Sequence, residues 1–204
     1  MDIARFWDRM AKGYAKRPIS DPDAYEEKLR RTQAHLRPDM SVVEIGCGTG
    51  GTARRHAPLV ARYRALDVSP EMIRIARERT GDDAPAGLSF EVRTLADAAG
   101  EGPVDAVLML SLLHLLPDWR EAVTGARAAL KPGGLFVTSS VCFPDSHAWF
   151  RWIAPIGRAV GLFPPLAFFS RRELTEAMEA AGFDILDRWV PDPKAALFVI
   201  ARAR

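Results

Sequence analysis

Cysteine is nearly missing from this chain: Cys47 and Cys142 are its two thiols in 204 residues. So few, with no ladder of spacings, exclude a disulfide scaffold and a cysteine-rich metal centre. Histidine is scarce as well, and no acid or cysteine clusters near His35, His56 or His147, so no metal site is expected. A long apolar run is also absent. The most apolar stretch, Trp149 to Phe169, is broken by Arg151, Pro155, Arg158, Pro164 and Pro165, whereas a membrane span needs about 20 mostly apolar residues. No excess of one charge exists either: 28 basic against 26 acidic side chains leave +2, which argues against a nucleic-acid partner. Met1-Asp2-Ile3-Ala4-Arg5 carries no signal-peptide pattern, so a cytoplasmic protein with reduced thiols is expected.

What is present is ordinary globular material, 48% hydrophobic and 26% charged, sufficient for one domain spanning 1–204. Its centre is Val42-Val43-Glu44-Ile45-Gly46-Cys47-Gly48-Thr49-Gly50-Gly51. An apolar strand over 41–46 runs into clustered glycines, and a helix follows over Thr52 to Pro58. Such a turn brings backbone close to a ligand, because glycine tolerates positive φ and has no Cβ in the way. In a parallel α/β sheet the turn sits beyond the carboxyl ends of the strands, where ligands bind. Gly46, Gly48 and Gly51 also fit G-x-G-x-x-G, a weak dinucleotide signal that leaves an NAD(P)-dependent oxidoreductase open. Glu44 tilts the reading the other way. A buried carboxylate is costly unless paired, and a cationic or multi-donor ligand would justify it where a pyrophosphate would not.

The remaining elements follow in order. Ile3, Phe6, Trp7, Met10 and Tyr14 have helical spacing over 2–16, and Asp21-Pro22 opens a second helix that ends before Pro38. Strands are expected over Arg62–Asp67, Leu88–Val92, Val104–Leu110, Leu135–Val141, Phe183–Val190 and Ala195–Ala201. Ser69-Pro70 starts the helix after the second strand, and capping boxes are read at Asp118/Glu121 and Ser170/Glu173. Asp67 ends the second strand about 20 residues past the glycines, where an acid accepts hydrogen bonds from ribose hydroxyls. Its alternative is a solvated turn aspartate. Met72, on the next first turn, can face an adenine ring or fill core.

Glu44-Ile45-Gly46-Cys47-Gly48-Thr49-Gly50 resembles the first motif of the class I S-adenosylmethionine-dependent methyltransferases, acid-x-Gly-x-Gly-x-Gly. The turn Leu130-Lys131-Pro132-Gly133-Gly134 is a second marker of that family, and Asp105 matches the acid that commonly starts its fourth strand. The resemblance implies a Rossmann-like seven-stranded sheet in the order 3-2-1-4-5-7-6, last strand antiparallel, with helices on both faces. It implies S-adenosylmethionine as cofactor and S-adenosylhomocysteine as product. Residues 1–38 would form a helical lid, with Tyr14 near the sulfonium or merely a core aromatic. Cofactor contacts would come from Tyr14, Glu44, Gly46, Cys47, Gly48, Gly50, Asp67, Val68, Met72, Thr94, Leu95 and Ser111. Where the family often has Gly-Asp or Asn-Ala, this chain has Arg93-Thr94-Leu95-Ala96, so adenine recognition would fall to the Leu95 N–H with Thr94 or Asp97.

The cofactor supplies an activated methyl group, so no nucleophilic side chain is required. His114, near the carboxyl edge of the fourth strand, is the candidate catalytic base for a protonated acceptor, with a pocket-wall role as its alternative. No Asn/Asp-Pro-Pro-aromatic element follows that strand, which argues against the family's adenine-N6 methylators, and no Pro-Cys pair lies at it, which argues against cytosine-C5 chemistry. A small-molecule acceptor is expected. The apolar insertion 144–169 would cover its pocket through Trp149, Phe150, Trp152, Ile153, Leu162, Phe163, Phe168 and Phe169, or else close the core. A lipid-like molecule, a quinone or an aromatic metabolite would fit such walls, with weak interfacial lipid contact beside Arg151 and Arg158. A monomer or homodimer is expected. A non-catalytic S-adenosylmethionine-binding protein also stays open.

Overall fold

The computed structural model describes residues 3–94, 96–97, 102–159 and 162–204. Seven strands, β1 (Ser41–Ile45), β2 (Arg62–Asp67), β3 (Leu88–Val92), β4 (Val104–Leu110), β5 (Leu130–Ser140), β6 (Phe183–Trp189) and β7 (Leu197–Ala203), form one sheet. Their order is β3-β2-β1-β4-β5-β7-β6, and β7 runs antiparallel to both neighbours. The helices are α1 (Ile3–Lys16), α2 (Pro22–Gln33), α3 (Gly51–His56), α4 (Pro70–Thr80), α5 (Trp119–Ala128), α6 (Phe143–Ser146), α7 (Phe150–Ala159) and α8 (Arg171–Ala180). The expected sheet is the observed one.

Central strands read as near-continuous apolar runs because both faces are covered, as parallel sheets require. Ala106, Val107, Leu108 and Met109 are wholly buried. Alternation divides them: Val107, Met109 and Phe136 pack with Trp119 and Val123 of α5 and Leu174 and Met178 of α8. Leu108, Val137 and Tyr63 pack with Ala53 of α3 and Ile73 and Ala76 of α4 on the other face. Phe136 and Phe183 meet with ring centroids 5.2 Å apart. Each such ring contributes about 1.5–3 kcal/mol by burial, with about 0.5–1.5 more for an aromatic pair.

Helix starts separate the capping signals. The Ser69 hydroxyl accepts from the Met72 N–H, and Ser170 with Glu173 forms the full reciprocal box. Asp118 does precede α5, but its side chain makes no capping bond, against expectation. Its ψ of 44° departs from the extended backbone of Ser69 and Ser170, the conformation from which a cap side chain meets the helix amides. A second difference concerns the Lys131–Gly134 turn. It is absorbed into β5, which begins at Leu130: Val104 stands opposite Leu130 and Ala106 opposite Leu135, so a bulge takes up the turn.

The strand order reverses between β1 and β4, and this crossover fixes where a ligand is received. Helix α1 lies beside α4 there, with Ala11 against Met72 and Ile75 and with Trp7 and Ala15 closing the cluster. Asp8 accepts from the Ser69 hydroxyl (2.6 Å) and the Glu71 N–H (3.1 Å) at the start of α4. At its end, Arg79 donates to the Ala15 carbonyl and to the Thr49 hydroxyl (3.1 Å) of the glycine turn.

Candidate active site

The glycine turn leaves β1 at the crossover, with Gly46, Gly48 and Gly50 all at positive φ. At Gly50, φ is 75° and an added Cβ would lie 2.8 Å from the Phe90 ring, so glycine is obligatory on two counts. An added Cβ at Gly48 would meet the Tyr14 ring at 3.8 Å, so turn and ring face each other across a gap. Cys47 is buried beneath, its thiol pKa raised by burial. Leu112, just past β4, packs against Gly46, joining the β1 and β4 turns.

Two carboxylates flank this turn on one face of the sheet. Glu44 is 3% exposed and accepts from the Tyr63 hydroxyl at 2.8 Å. Burial pushes its pKa up to about 8, Tyr63 opposing and the Asp67 charge adding to the rise. Asp67 accepts from the Gly48 N–H through Oδ2 and from the Ser69 N–H through Oδ1, both at 2.9 Å. Burial raises its pKa against those two bonds. Each carboxylate oxygen has a second lone pair, so Asp67 keeps acceptor capacity for a ligand's hydroxyls. Val68, half-buried, carries the chain from Asp67 to Ser69.

Tyr14 stands at the rim of this gap, 45% exposed, with its ring edge-on to Trp7 at 6.3 Å. Burial around its hydroxyl raises its pKa first, the Asp67 charge second. Met72 is 2% exposed in the α1–α4 cluster, a placement that packing alone accounts for. Thr94 is exposed, and its N–H and hydroxyl both donate to Asp97 at 2.8 Å, so the pair satisfies itself. Leu95, expected to offer its N–H to adenine, lies outside the described residues.

Ser111 has φ 56°, the non-glycine positive φ among the described residues, and donates its N–H to the Ser139 carbonyl at 2.8 Å. Backbone held in that region costs about 1–3 kcal/mol and concentrates at ligand sites. His114 follows on a short 3-10 turn, 9% exposed, with its pKa pushed down to about 4 by burial. Its Nδ1 accepts from the Val141 N–H at 3.4 Å, its carbonyl from the Ala167 N–H at 2.9 Å, and Phe143 packs edge-on at 6.1 Å. His114 thereby fastens the apolar insertion to the carboxyl edge. A separate hollow of about 150 Å³ opens at the opposite edge, between His35, Arg37, Asp105, Lys131 and Arg202, remote from every residue above.

Residues 16–188 match the family described as a methyltransferase domain. The chain belongs to that family. It is 30% identical over 117 residues to a ubiquinone biosynthesis O-methyltransferase of Xanthomonas axonopodis pv. citri, covering 56% of this chain and 48% of that protein. The chain thus spans about half the length of the curated relatives it matches. Its fold is that of the N-methyltransferase NodS from Bradyrhizobium japonicum, solved with S-adenosyl-L-homocysteine (TM-score 0.76, 17% identity, 100% and 99% of the two chains). The DhpI–SAH complex is similar too (TM-score 0.74, 24% identity, 98% and 95% covered). The fold is the class I S-adenosylmethionine-dependent methyltransferase fold.

Within this methyltransferase domain, three positioning residues escaped the sequence reading. Tyr63 was legible in principle, since period-two alternation puts it on the face of Glu44, diagonal to it across the β1–β2 pair. Asp8 and Arg79 had no local signal, because each acts only through the packing of α1 on α4. The insertion divides as no periodicity foretold. Phe150 and Phe163 pair inward at 5.2 Å and Phe169 lies on Trp119 at 4.4 Å, whereas Trp149, Trp152, Ile153, Leu162 and Phe168 are exposed.

Proposed function

We propose that this chain transfers the methyl group of S-adenosylmethionine to a small, hydrophobic acceptor. One observation carries the reading: the Asp67 carboxylate is clamped by Gly48 and Ser69 amides beside the glycine turn, with lone pairs to spare, and buried Glu44 lies on the same face. The arrangement fits a ligand with ribose hydroxyls and a positive charge. The glycine cradle under Tyr14 fits it as well, since a Cβ at Gly48 would project toward the ring. When bound, that cofactor supplies an electrophilic methyl carbon, and the protein's part is orientation and a dry pocket.

In this reading Asp67 and the turn amides hold the ribose and the adjoining chain, Glu44 offsets positive charge, and Tyr14 covers the gap. Held in line, the acceptor reacts by proximity, an effect worth about 7–11 kcal/mol in favourable cases. His114 shapes the acceptor wall. A buried imidazole with pKa about 4 and Nδ1 already engaged is a weak base. The ubiquinone O-methyltransferase likeness favours a phenolic or quinone-like acceptor, and the inward rings Phe143, Phe150 and Phe163 are suited to one. Calorimetric titration with S-adenosylmethionine, S-adenosylhomocysteine and NAD⁺ tests the cofactor. Micromolar affinity for the first two and none for NAD⁺ is expected; the reverse would overturn the reading. Turnover of catechol-type phenols by the loaded enzyme then tests the acceptor class.

A further inference from the structure

Helix α7 carries an apolar arc covering more than half its circumference, wider than it can bury against the fold, with Arg151 and Arg158 on the remaining side. Phe150, Ala154 and Gly157 face inward at i, i+4, i+7: Phe150 stacks on Phe143 at 5.3 Å, Ala154 is buried, and Gly157 abuts Phe163. The adjoining face, about 100° round the helix, repeats the same spacing. Trp149, Trp152, Ile153 and Ile156 point outward, with Trp152 73% and Ile156 67% exposed, and Leu162 beyond the helix is 68% exposed. Large apolar side chains grouped this way mark an interaction surface rather than chance exposure.

Charge says what the partner is. From Ser146 to Arg172 the chain has no acid, in a sequence with 26 of them, and it carries Arg151 and Arg158 on α7 itself. The Arg151 guanidinium lies over the Trp152 ring at 5.4 Å, a cation and an indole side by side as at a membrane–water boundary. Arg171 and Arg172 at the end of the stretch are engaged elsewhere, with the Pro193 carbonyl and with Glu176. We propose that the outward face of α7, with Trp149 and Leu162 at its ends, docks on the surface of an anionic lipid bilayer. Among the described residues no helix is long and apolar enough to cross a membrane, so the contact is lateral, the helix lying in the interface. Through Phe143 and the Ala167 amide the same insertion is fixed to His114, so docking would set the candidate acceptor pocket at the lipid boundary. The docking itself does not depend on the methyl-transfer reading.

The test is co-sedimentation of the full chain with vesicles of phosphatidylcholine alone and of phosphatidylcholine mixed with phosphatidylglycerol, read together with tryptophan emission. Binding to the mixed vesicles with a blue shift is expected, weakening as salt is raised. The Trp152→Ser/Ile156→Ser double variant is expected to lose at least about tenfold in partitioning, since two large apolar side chains are removed. Arg151→Gln should lose about fivefold, the effect of one arginine near an anionic surface. Far-UV dichroism and S-adenosylhomocysteine titration of each variant report folding separately. No binding to anionic vesicles, equal binding to phosphatidylcholine alone, or undiminished binding by the double variant would each overturn the proposal. So would a concentration-dependent dimer abolished by that variant, which would mean that a second copy covers this face. Should the native chain fail to bind S-adenosylhomocysteine, the proposed function fails and the vesicle result still stands on its own.

Discussion

Glu44 makes the sharpest prediction because its carboxyl is wholly buried and its proton is held by the fold. Its pKa is about 8 in the folded chain against an ordinary 4.5. The folded state therefore keeps a proton that the unfolded chain has already released. The associated stability is complete below pH 4.5 and lost as pH rises toward 8, at about 1.4 kcal/mol per pH unit. From pH 5.5 to 8 the loss comes to about 3 kcal/mol. Glu44→Gln preserves an acceptor for the Tyr63 hydroxyl and removes the titration. Urea unfolding of both proteins at pH 5.5 and 8 is the assay. The native chain should lose about 3 kcal/mol more than the variant, a difference in which other titrating groups, His56 and His114 included, cancel. A cationic ligand favours ionised Glu44, so binding S-adenosylmethionine at pH 7 should release about one proton. Titrations in phosphate and Tris, whose ionisation heats differ, measure it directly. Equal pH profiles for the two proteins, with no difference in proton release, would refute the reasoning by showing Glu44 ionised in the folded chain.

Other outcomes follow from the same geometry. Asp67→Ala should weaken S-adenosylmethionine binding by about 1–3 kcal/mol, the scale for hydrogen bonds to a charged group; unchanged calorimetric affinity in a folded variant would place the ribose elsewhere. Gly50→Ala should destabilise by about 1–3 kcal/mol, because it combines positive φ with a 2.8 Å approach to Phe90, whereas Gly133→Ala meets open space and should cost about 1 kcal/mol in the same denaturation assay. His114→Gln should leave turnover within about tenfold and the pH–rate profile unmoved, since a base role is worth about 10²–10⁴; a larger loss with a displaced profile would make His114 the base.

The sheet was legible because its signals are local. Apolar runs ending in Gly46 or Asp67 mark strands whatever surrounds them, and β2, β3 and β4 fall on the expected residues. Ser170 and Asp118 show the limit. Both precede a glutamate by three positions, yet the bond forms only where the backbone at the cap is extended, which sequence spacing does not encode. The insertion was read as one apolar block and proved to have two destinations, because the same aromatic spacing serves an inward and an outward face. Thr94 or Asp97 was expected to help the Leu95 N–H at a ligand; the two side chains are bonded to each other, a local pairing that short polar side chains commonly find and that spacing alone does not reveal. In the candidate site Glu44 and Asp67 stood out in the sequence, whereas Tyr63, Asp8 and Arg79 did not, because they act through contacts between elements distant in sequence.

Helix α1 is tied at two points, by Asp8 to the start of α4 and by the Ala15 carbonyl to Arg79, which also grips the glycine turn. It is a strap buckled at both ends, with Tyr14 exposed on it beside the glycine turn. Because the two ties sit at opposite ends of α1 and the Ala11–Met72–Ile75 packing lies between them, breaking either one alone leaves the helix held on α4.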